Sequence, residues 1–379
     1  MLHAKPVRAT HAPAKPRLIL SFQRLPILIA ALLFSLPALV SGQVSALLAP
    51  GPKPPDVPQA WKPWIGEYGL FIPRSTATSG AVYALSEKDG AIWILEREGK
   101  GEDATYKPLE KFALNQPPPS DAAHGLRLHW DQSGDHRILV MGEVRSAKIT
   151  PDFDARAQVL ITPVHPVAEL RAEALSTSPP GEDGSFRKPE LVELTTLDPA
   201  IHLDIRYGTT NNFLGTPVYT QARAFLQRPA AEALVRALHK LQPLGYGLLI
   251  HDAYRPWYVT KIFWEATPPE GKIFVADPSQ GSHHNRGCAV DLTLYDLATG
   301  KPIEMPGTYD EMSARSFPAY PGGTSLQRWH RDLLRWAMES EGFTVYEHEW
   351  WHFDYKDWHE YPILNVPFEK LQFNEKQFR

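Results

Sequence analysis

Two short runs near the C-terminal end hold residue types that can bind a divalent metal ion. In Ser282-His283-His284-Asn285-Arg286-Gly287-Cys288-Ala289-Val290-Asp291, a histidine and an aspartate lie seven residues apart across a glycine. Imidazole nitrogen and carboxylate oxygen are ligands that zinc accepts, and the glycine lets the chain double back so that both reach one ion. Glu349-Trp350-Trp351-His352 adds another imidazole, with a carboxylate three positions before it. His284, Asp291 and His352 then make three protein ligands and leave a fourth position for water, the donor set of a catalytic zinc site rather than a structural one. Zinc lowers the pKa of the water it holds to about 7, so Glu349 is the candidate general base as that water attacks a carbonyl. Arg255 ends a predicted strand in His251-Asp252-Ala253-Tyr254-Arg255-Pro256 and is the candidate to steady the resulting negative oxygen.

The same residues admit other readings. His348-Glu349-Trp350-Trp351-His352 spells the His-Glu-x-x-His signature of a different class of zinc protease, which works on a helix. Phe343 to Tyr346 and Trp350 to Phe353 favour extended structure instead, although residues four apart in a strand still share a face, so His348 stays open as a ligand. Neighbouring His283 and His284 point to opposite faces of an extended chain, so only one of them can reach the ion. Arg255 can be read as a surface ion pair, and Asp252 as a group that orients Arg255 or closes a turn.

These runs, with Asp252-x-Tyr254-Arg255-Pro256 and Asp204-Ile205-Arg206-Tyr207-x-Thr209-x-Asn211-Asn212-Phe213, resemble the D-alanyl-D-alanine dipeptidases, relatives of the zinc D,D-carboxypeptidases. The resemblance covers about half the chain. It selects His284 over His283, and it implies one zinc ion per catalytic domain and hydrolysis of free D-alanyl-D-alanine to D-alanine. It also implies that Asp310, within Met305 to Met312, holds the substrate ammonium, and that Ser282 is a further substrate contact. Read without the resemblance, Asp310 can simply cap a helix begun after it. Arg206 and Tyr207 are open between a structural role and substrate contact. Pro306 and Cys288 depart from the family pattern without touching a proposed ligand. The alternatives are a D,D-carboxypeptidase acting on peptidoglycan stem peptides, a protease of the His-Glu-x-x-His class, or a non-catalytic cell-wall-binding protein.

The elements that must position these groups are predicted as an α+β catalytic domain over 191–379, with an antiparallel sheet carrying the zinc site. Pro229 suits a first helical turn, Leu234, Leu238 and Leu241 repeat at helical spacing, and Pro243 and Gly245 stop the helix. Leu248-Leu249-Ile250 reads as a buried strand. A second amphipathic helix is predicted from Ser325 to Glu341, with Leu326, Trp329, Leu333 and Trp336 on one face and Gly342 at its C-terminal end.

Upstream, residues 61–170 read as a small antiparallel all-β domain. Ala81 to Leu85 and Ala91 to Leu95 flank Lys88-Asp89-Gly90, and Leu126 to Trp130 and Arg137 to Met141 flank a turn, both of which are hairpin signals. Closing such a sheet hides its edges, so a barrel or curved sheet is expected. Trp64-Ile65-Gly66-Glu67-Tyr68-Gly69 looks like the opening of lipocalin-like domains, and an accessory role is expected. A proline-rich spacer at 43–60 reads as a stiff tether, and 171–190 as a second linker.

Residues 1–42 join five basic and no acidic side chains in the first 24 positions to an apolar run from Leu25 to Val40. That is the pattern of an export signal, with Ser41, Gly42 and Ala46 as small residues for cleavage, or of an anchor if the run stays uncut. The single cysteine, Cys288, rules out an intramolecular disulfide, and no cysteine closely follows the apolar run to take a lipid. Export to the periplasm or cell envelope is expected, with membrane association only through an uncleaved segment. A net charge of -4 without a basic stripe argues against nucleic acid as a partner, and the resemblance implies D-Ala-D-Ala or a related small peptide instead.

Overall fold

The computed structural model describes residues 49–70, 81–99, 104–120, 126–130, 136–150 and 159–371. The predicted export signal or anchor lies outside the described residues. Among those described, no helix is long and apolar enough to cross a membrane.

In the N-terminal part, β1 (Gly66–Leu70), β2 (Ala81–Lys88), β3 (Ala91–Glu98), β4 (Thr105–Ala113), β5 (Leu126–Trp130), β6 (Arg137–Met141) and β7 (Val144–Lys148) form one antiparallel sheet, in the order β4-β3-β2-β1-β7-β6-β5. The β2–β3 hairpin turns on Asp89 and Gly90, both left-handed at φ +53° and +71°, the pair that a two-residue hairpin turn requires. Among the described residues β4 and β5 do not pair, so of the barrel or curved sheet expected the structure has the curved sheet, a curled half-barrel. The segment before β1 supplies the reason. Val57, Trp61 and Ile65 pack with Tyr68, Leu85, Ile92, Ile94, Leu126, Leu128 and Leu139, so the inner face is buried without closure. Trp61 is fully buried, and its indole donates to the Gln116 carbonyl at 2.8 Å.

The C-terminal half runs α1 (Val167–Ser176), β8 (Leu191–Glu193), β9 (Ile201–Leu203), β10 (Phe225–Gln227), α2 (Arg228–Leu241), β11 (Tyr246–Asp252), α3 (Trp257–Ala266), β12 (Ala289–Asp296), α4 (Ser325–Glu339), β13 (Phe343–Tyr346) and β14 (Glu349–Tyr355). Its main sheet has the order β13-β14-β12-β11-β9. The predicted antiparallel sheet needs one correction: β9 is parallel to β11. A parallel pair requires a long crossover, and α2 lies within that connection. Helix α2 carries its proline in the first turn and buries Leu234, Leu238 and Leu241 as its spacing predicts.

Helix α4 is opened by a reciprocal cap: Gln327 N donates to Thr324 Oγ1 at 3.0 Å, and Thr324 N donates to Gln327 Oε1 at 2.9 Å. Its buried stripe is His330, Leu333, Leu334, Ala337 and Met338, while Trp329 and Trp336 flank the core rather than centre it.

Neither proline-rich stretch stands off as a free tether. Trp329 donates its indole N–H to the Gly51 carbonyl at 2.7 Å, and Lys53 Nζ donates to the Tyr246 hydroxyl at 2.8 Å. Proline-rich chain leaves its carbonyls unpaired, which makes them available to such donors. Helix α1 straddles the boundary predicted at residue 170 and sends Leu170 and Ala174 into the C-terminal core. Glu182 then accepts from Arg286 Nη2 and from Ile363 N, each at 2.6 Å.

At Gly287 the chain turns into β12 with φ +67°, and a Cβ there would lie 2.5 Å from Leu191 Cδ2. Gly287→Ala therefore combines backbone strain with a core clash. It is expected to destabilise the fold by more than about 1 kcal/mol, read as a lowered midpoint in thermal unfolding.

Candidate metal-dependent active site

Strand pairing places three of the polar side chains. Asp252 on β11 is in register with Asp291 on β12, and Asp291 is in register with His352 on β14. Directly opposed residues on neighbouring strands sit about 5 Å apart, so these three form a row across the sheet. His284 reaches the row from a 3-10 turn, His283–Arg286, where an extended segment was expected. That turn is capped and tied down: His284 N donates to Ser282 Oγ at 3.2 Å, and Asn285 Nδ2 donates to the Arg255 carbonyl at 2.9 Å.

His284 Nε2, Asp291 Oδ1 and His352 Nδ1 form a triangle with sides of 3.3, 2.9 and 3.1 Å. Ligands about 2.0–2.2 Å from one tetrahedral metal ion stand about 3.3 Å apart, so the triangle has the right size. The outer ring nitrogens decide what faces inward. His284 Nδ1 lies 2.6 Å from the Ala253 carbonyl, which can only accept, so Nδ1 carries the proton and Nε2 a lone pair. His352 Nε2 lies 2.9 Å from Asp354 Oδ1, and a proton placed there leaves Nδ1 as an acceptor toward the cluster. With both rings neutral, two lone pairs and a carboxylate oxygen face one point, which fits a bound cation held by oriented histidines.

The electrostatics agree. Burial works against a charged His352, yet Asp354 and Asp291 together hold its ring well above the usual histidine range. Burial likewise works against an ionised Asp291, yet His284 and His352 hold it well below the usual carboxylate range. The point between them demands positive charge.

Glu349 Oε2 lies 3.8 Å from His352 Nδ1. Residues three apart in a regular strand face opposite ways; an irregularity in the β13–β14 register, between Val345 and Tyr346, brings them together. Burial, with Asp291 and Asp310 adding to it and His352 opposing, pushes the Glu349 carboxyl up to about 8. Such a group has the proton affinity that a general base needs.

Arg255 is buried and is no surface ion pair. Its Nε donates to Asp252 Oδ2 at 2.9 Å, its Nη2 stands 3.8 Å from Asp291 Oδ2, and it lies over the rings of Tyr207 and Phe263. Asp252 orients it, held in turn by the Tyr219 hydroxyl at 2.6 Å.

Asp310 closes the far wall of a cavity of about 190 Å³ that also exposes Arg255, Ser282, His284, Glu349 and His352. It sits in a left-handed turn at φ +59° and caps no helix. Tyr207 donates to its Oδ1 at 2.9 Å, and Oδ2 has no hydrogen-bond partner among the described residues. Burial and the charge of Asp291 push this carboxyl up to about 7.

His348 stands outside the candidate metal cluster, in the two-residue turn between β13 and β14, so the helical His-Glu-x-x-His signature has no counterpart here. His283 turns away to pair with Asp354 at 2.8 Å and stack on Trp358. Arg206 pairs with Asp204. Sequence reading missed two supporting groups, Asp354 and Tyr309, whose hydroxyl donates to Asp291 Oδ2 at 3.0 Å. Asp354 was within reach, because it follows His352 by two positions on a strand and so shares its face.

A family profile described as D-Ala-D-Ala dipeptidase matches residues 187–372. D-alanyl-D-alanine dipeptidases from Escherichia coli, Enterococcus faecalis and Enterococcus faecium are 36%, 34% and 35% identical to this chain. These matches cover 46%, 47% and 44% of this chain and 89%, 95% and 93% of the respective relatives, so the similarity is confined to the C-terminal half.

His352→Ala is expected to abolish binding of a divalent metal, measured as metal content after dialysis, whereas His348→Ala retains it. Equal loss in both would shift the ligand set. Because Asp310 has a raised carboxyl pKa, its ionised form is the one disfavoured by folding. That penalty is absent below the unfolded-state pKa of about 3.9 and complete above about 7. Asp310→Asn in chelator should therefore raise the unfolding midpoint more at about pH 8 than at about pH 5.

Proposed function

The chain belongs to the D-Ala-D-Ala dipeptidase family of metallopeptidases, and from that premise we propose that residues 191–379 hydrolyse free D-alanyl-D-alanine with one zinc ion held by His284, Asp291 and His352. The observation that supports it most is the convergence of these three ligand atoms beside Glu349 and Arg255 in one cavity. A zinc ion held there supplies Lewis acidity, making water nucleophilic near neutral pH and polarising a carbonyl.

The protein groups then divide the work. Glu349 takes a proton from the attacking water and delivers it to the leaving amine as the C–N bond breaks, so that one dipeptide and one water give two D-alanines. Its raised proton affinity suits the first transfer, and a cation among the ligands offsets the Asp291 charge that helps to raise it. Arg255, fixed by Asp252, places its guanidinium where negative charge grows on the carbonyl oxygen. Asp310 offers its partnerless oxygen to the substrate ammonium, and Ser282 lines the same cavity as a further contact.

A buried carboxylate with an open acceptor favours a free amine over an acylated one, because an acylated substrate leaves that charge uncompensated. This ranks the free dipeptide above a peptidoglycan stem peptide. The N-terminal sheet is an accessory module in this reading, and the basic and apolar N-terminus directs export to the periplasm or envelope.

With a panel of dipeptides of both chiralities and N-acetyl-D-Ala-D-Ala, activity is expected on the free D,D-dipeptide, to vanish in chelator and to return with zinc. Equal or faster cleavage of the acetylated compound would favour the carboxypeptidase alternative. Arg255→Ala is expected to lower kcat by about 100- to 1000-fold. Glu349→Gln should lose activity at least as severely while retaining metal, and Asp310→Asn should mainly raise KM.

A further inference from the structure

The segment between β12 and α4 carries Asp310, and its far end is held by the N-terminal sheet. A left-handed backbone is less favourable for an aspartate than for a glycine, so the Asp310 conformation draws on its surroundings to hold it. The near side of the segment fixes itself. Glu311 accepts from Thr308 N at 3.0 Å and from Ser313 Oγ at 2.8 Å; Arg315 pairs with Glu311 at 3.2 Å and donates its Nε to the Pro306 carbonyl at 2.9 Å.

Beyond Arg315 the fastening comes from β1 and β2. Tyr320 donates its hydroxyl to Glu67 Oε1 at 3.2 Å, and Tyr106 on β4 donates to the same oxygen at 3.0 Å. Glu87 N and Ser86 Oγ donate to the Gly323 carbonyl at 2.9 and 3.0 Å, while Glu87 Oε2 accepts from Ser325 N at 2.7 Å. Arg328 closes the joint by donating to the Glu87 carbonyl at 2.6 Å. Glu67 and Glu87 are 7% and 4% exposed. Buried carboxylates are costly unless hydrogen-bonded, and here they meet donors from the segment that carries Asp310.

We infer that Glu67 and Glu87 are positioning residues for Asp310: the N-terminal sheet clamps the far end of this segment and so keeps Asp310 aimed at the substrate amine. The inference rests on the substrate role proposed for Asp310. It makes the N-terminal module part of substrate recognition rather than a detachable wall-binding appendage.

Glu67→Ala, Glu87→Ala and Tyr320→Phe are made in the full chain, alone and combined with Asp310→Asn, and assayed on D-Ala-D-Ala. Glu67→Ala and Glu87→Ala are expected to raise KM about tenfold with kcat within about twofold, Tyr320→Phe to raise it about threefold, and Glu67→Gln, which keeps an acceptor oxygen, to restore most of the loss. On the Asp310→Asn background none should add a further rise. Equal rises on both backgrounds, a fall in kcat without a rise in KM, or no change while Asp310→Asn alone raises KM would each overturn the inference and leave the Asp310 reading intact. If Asp310→Asn alone leaves KM unchanged, that reading fails first and the inference with it. Should the alanine variants not fold, Tyr320→Phe removes a single hydroxyl and decides the matter by the same comparison.

Discussion

Three electron-rich atoms held about 3 Å apart, on side chains that are mostly buried, are the constraint on which the rest of this structure depends. Left to themselves, two lone pairs and a carboxylate would repel, and a low-dielectric surrounding makes that repulsion stronger. The fold holds them by what stands behind each: the Ala253 carbonyl behind His284, Asp354 behind His352, and the Tyr309 hydroxyl and Arg255 beside Asp291. Each outer partner fixes the direction in which its ligand offers electrons, which is how a protein selects a cation before one arrives.

The same constraint explains the unusual state of the neighbouring acids. Asp252, Asp291, Asp310, Glu349 and Asp354 crowd one region, and among the described residues Arg255 is the one arginine in the cavity wall beside them. The histidines they meet drive Asp291 and Asp354 down, while burial drives Asp252, Asp310 and Glu349 up, the last two to about 7 and 8. Opposite displacement of acids that share a site is how different roles are assigned to identical chemistry. Here it sets Asp291, the proposed ligand, apart from Glu349 and Asp310, the proposed base and ammonium anchor.

Precise placement has a cost in backbone strain, and the architecture shows where it is carried. Gly287 takes a left-handed turn between ligand and strand, and Asp310 takes another without being glycine. The first is relieved by residue type. The second is held by contacts, some of which come from a sheet that lies outside the residues matched to the family. A module joined to an enzyme can thus become mechanically continuous with its site when its buried carboxylates find their donors across the joint.

The sequence by itself determined the three side chains that converge as candidate ligands, the candidate base and arginine, and the helices and hairpins, because these are written in residue type and in periods of two and 3.6 that local sterics enforce. It could not show that β9 runs parallel to β11, that the N-terminal sheet stops at a half-barrel, or that the proline-rich stretches dock, since each depends on what a distant segment covers. Nor could strict alternation place Glu349 beside His352; an irregularity in strand pairing did that. Residue type names the chemistry a side chain is capable of, but direction and neighbourhood set its proton affinity, and those belong to the tertiary structure alone.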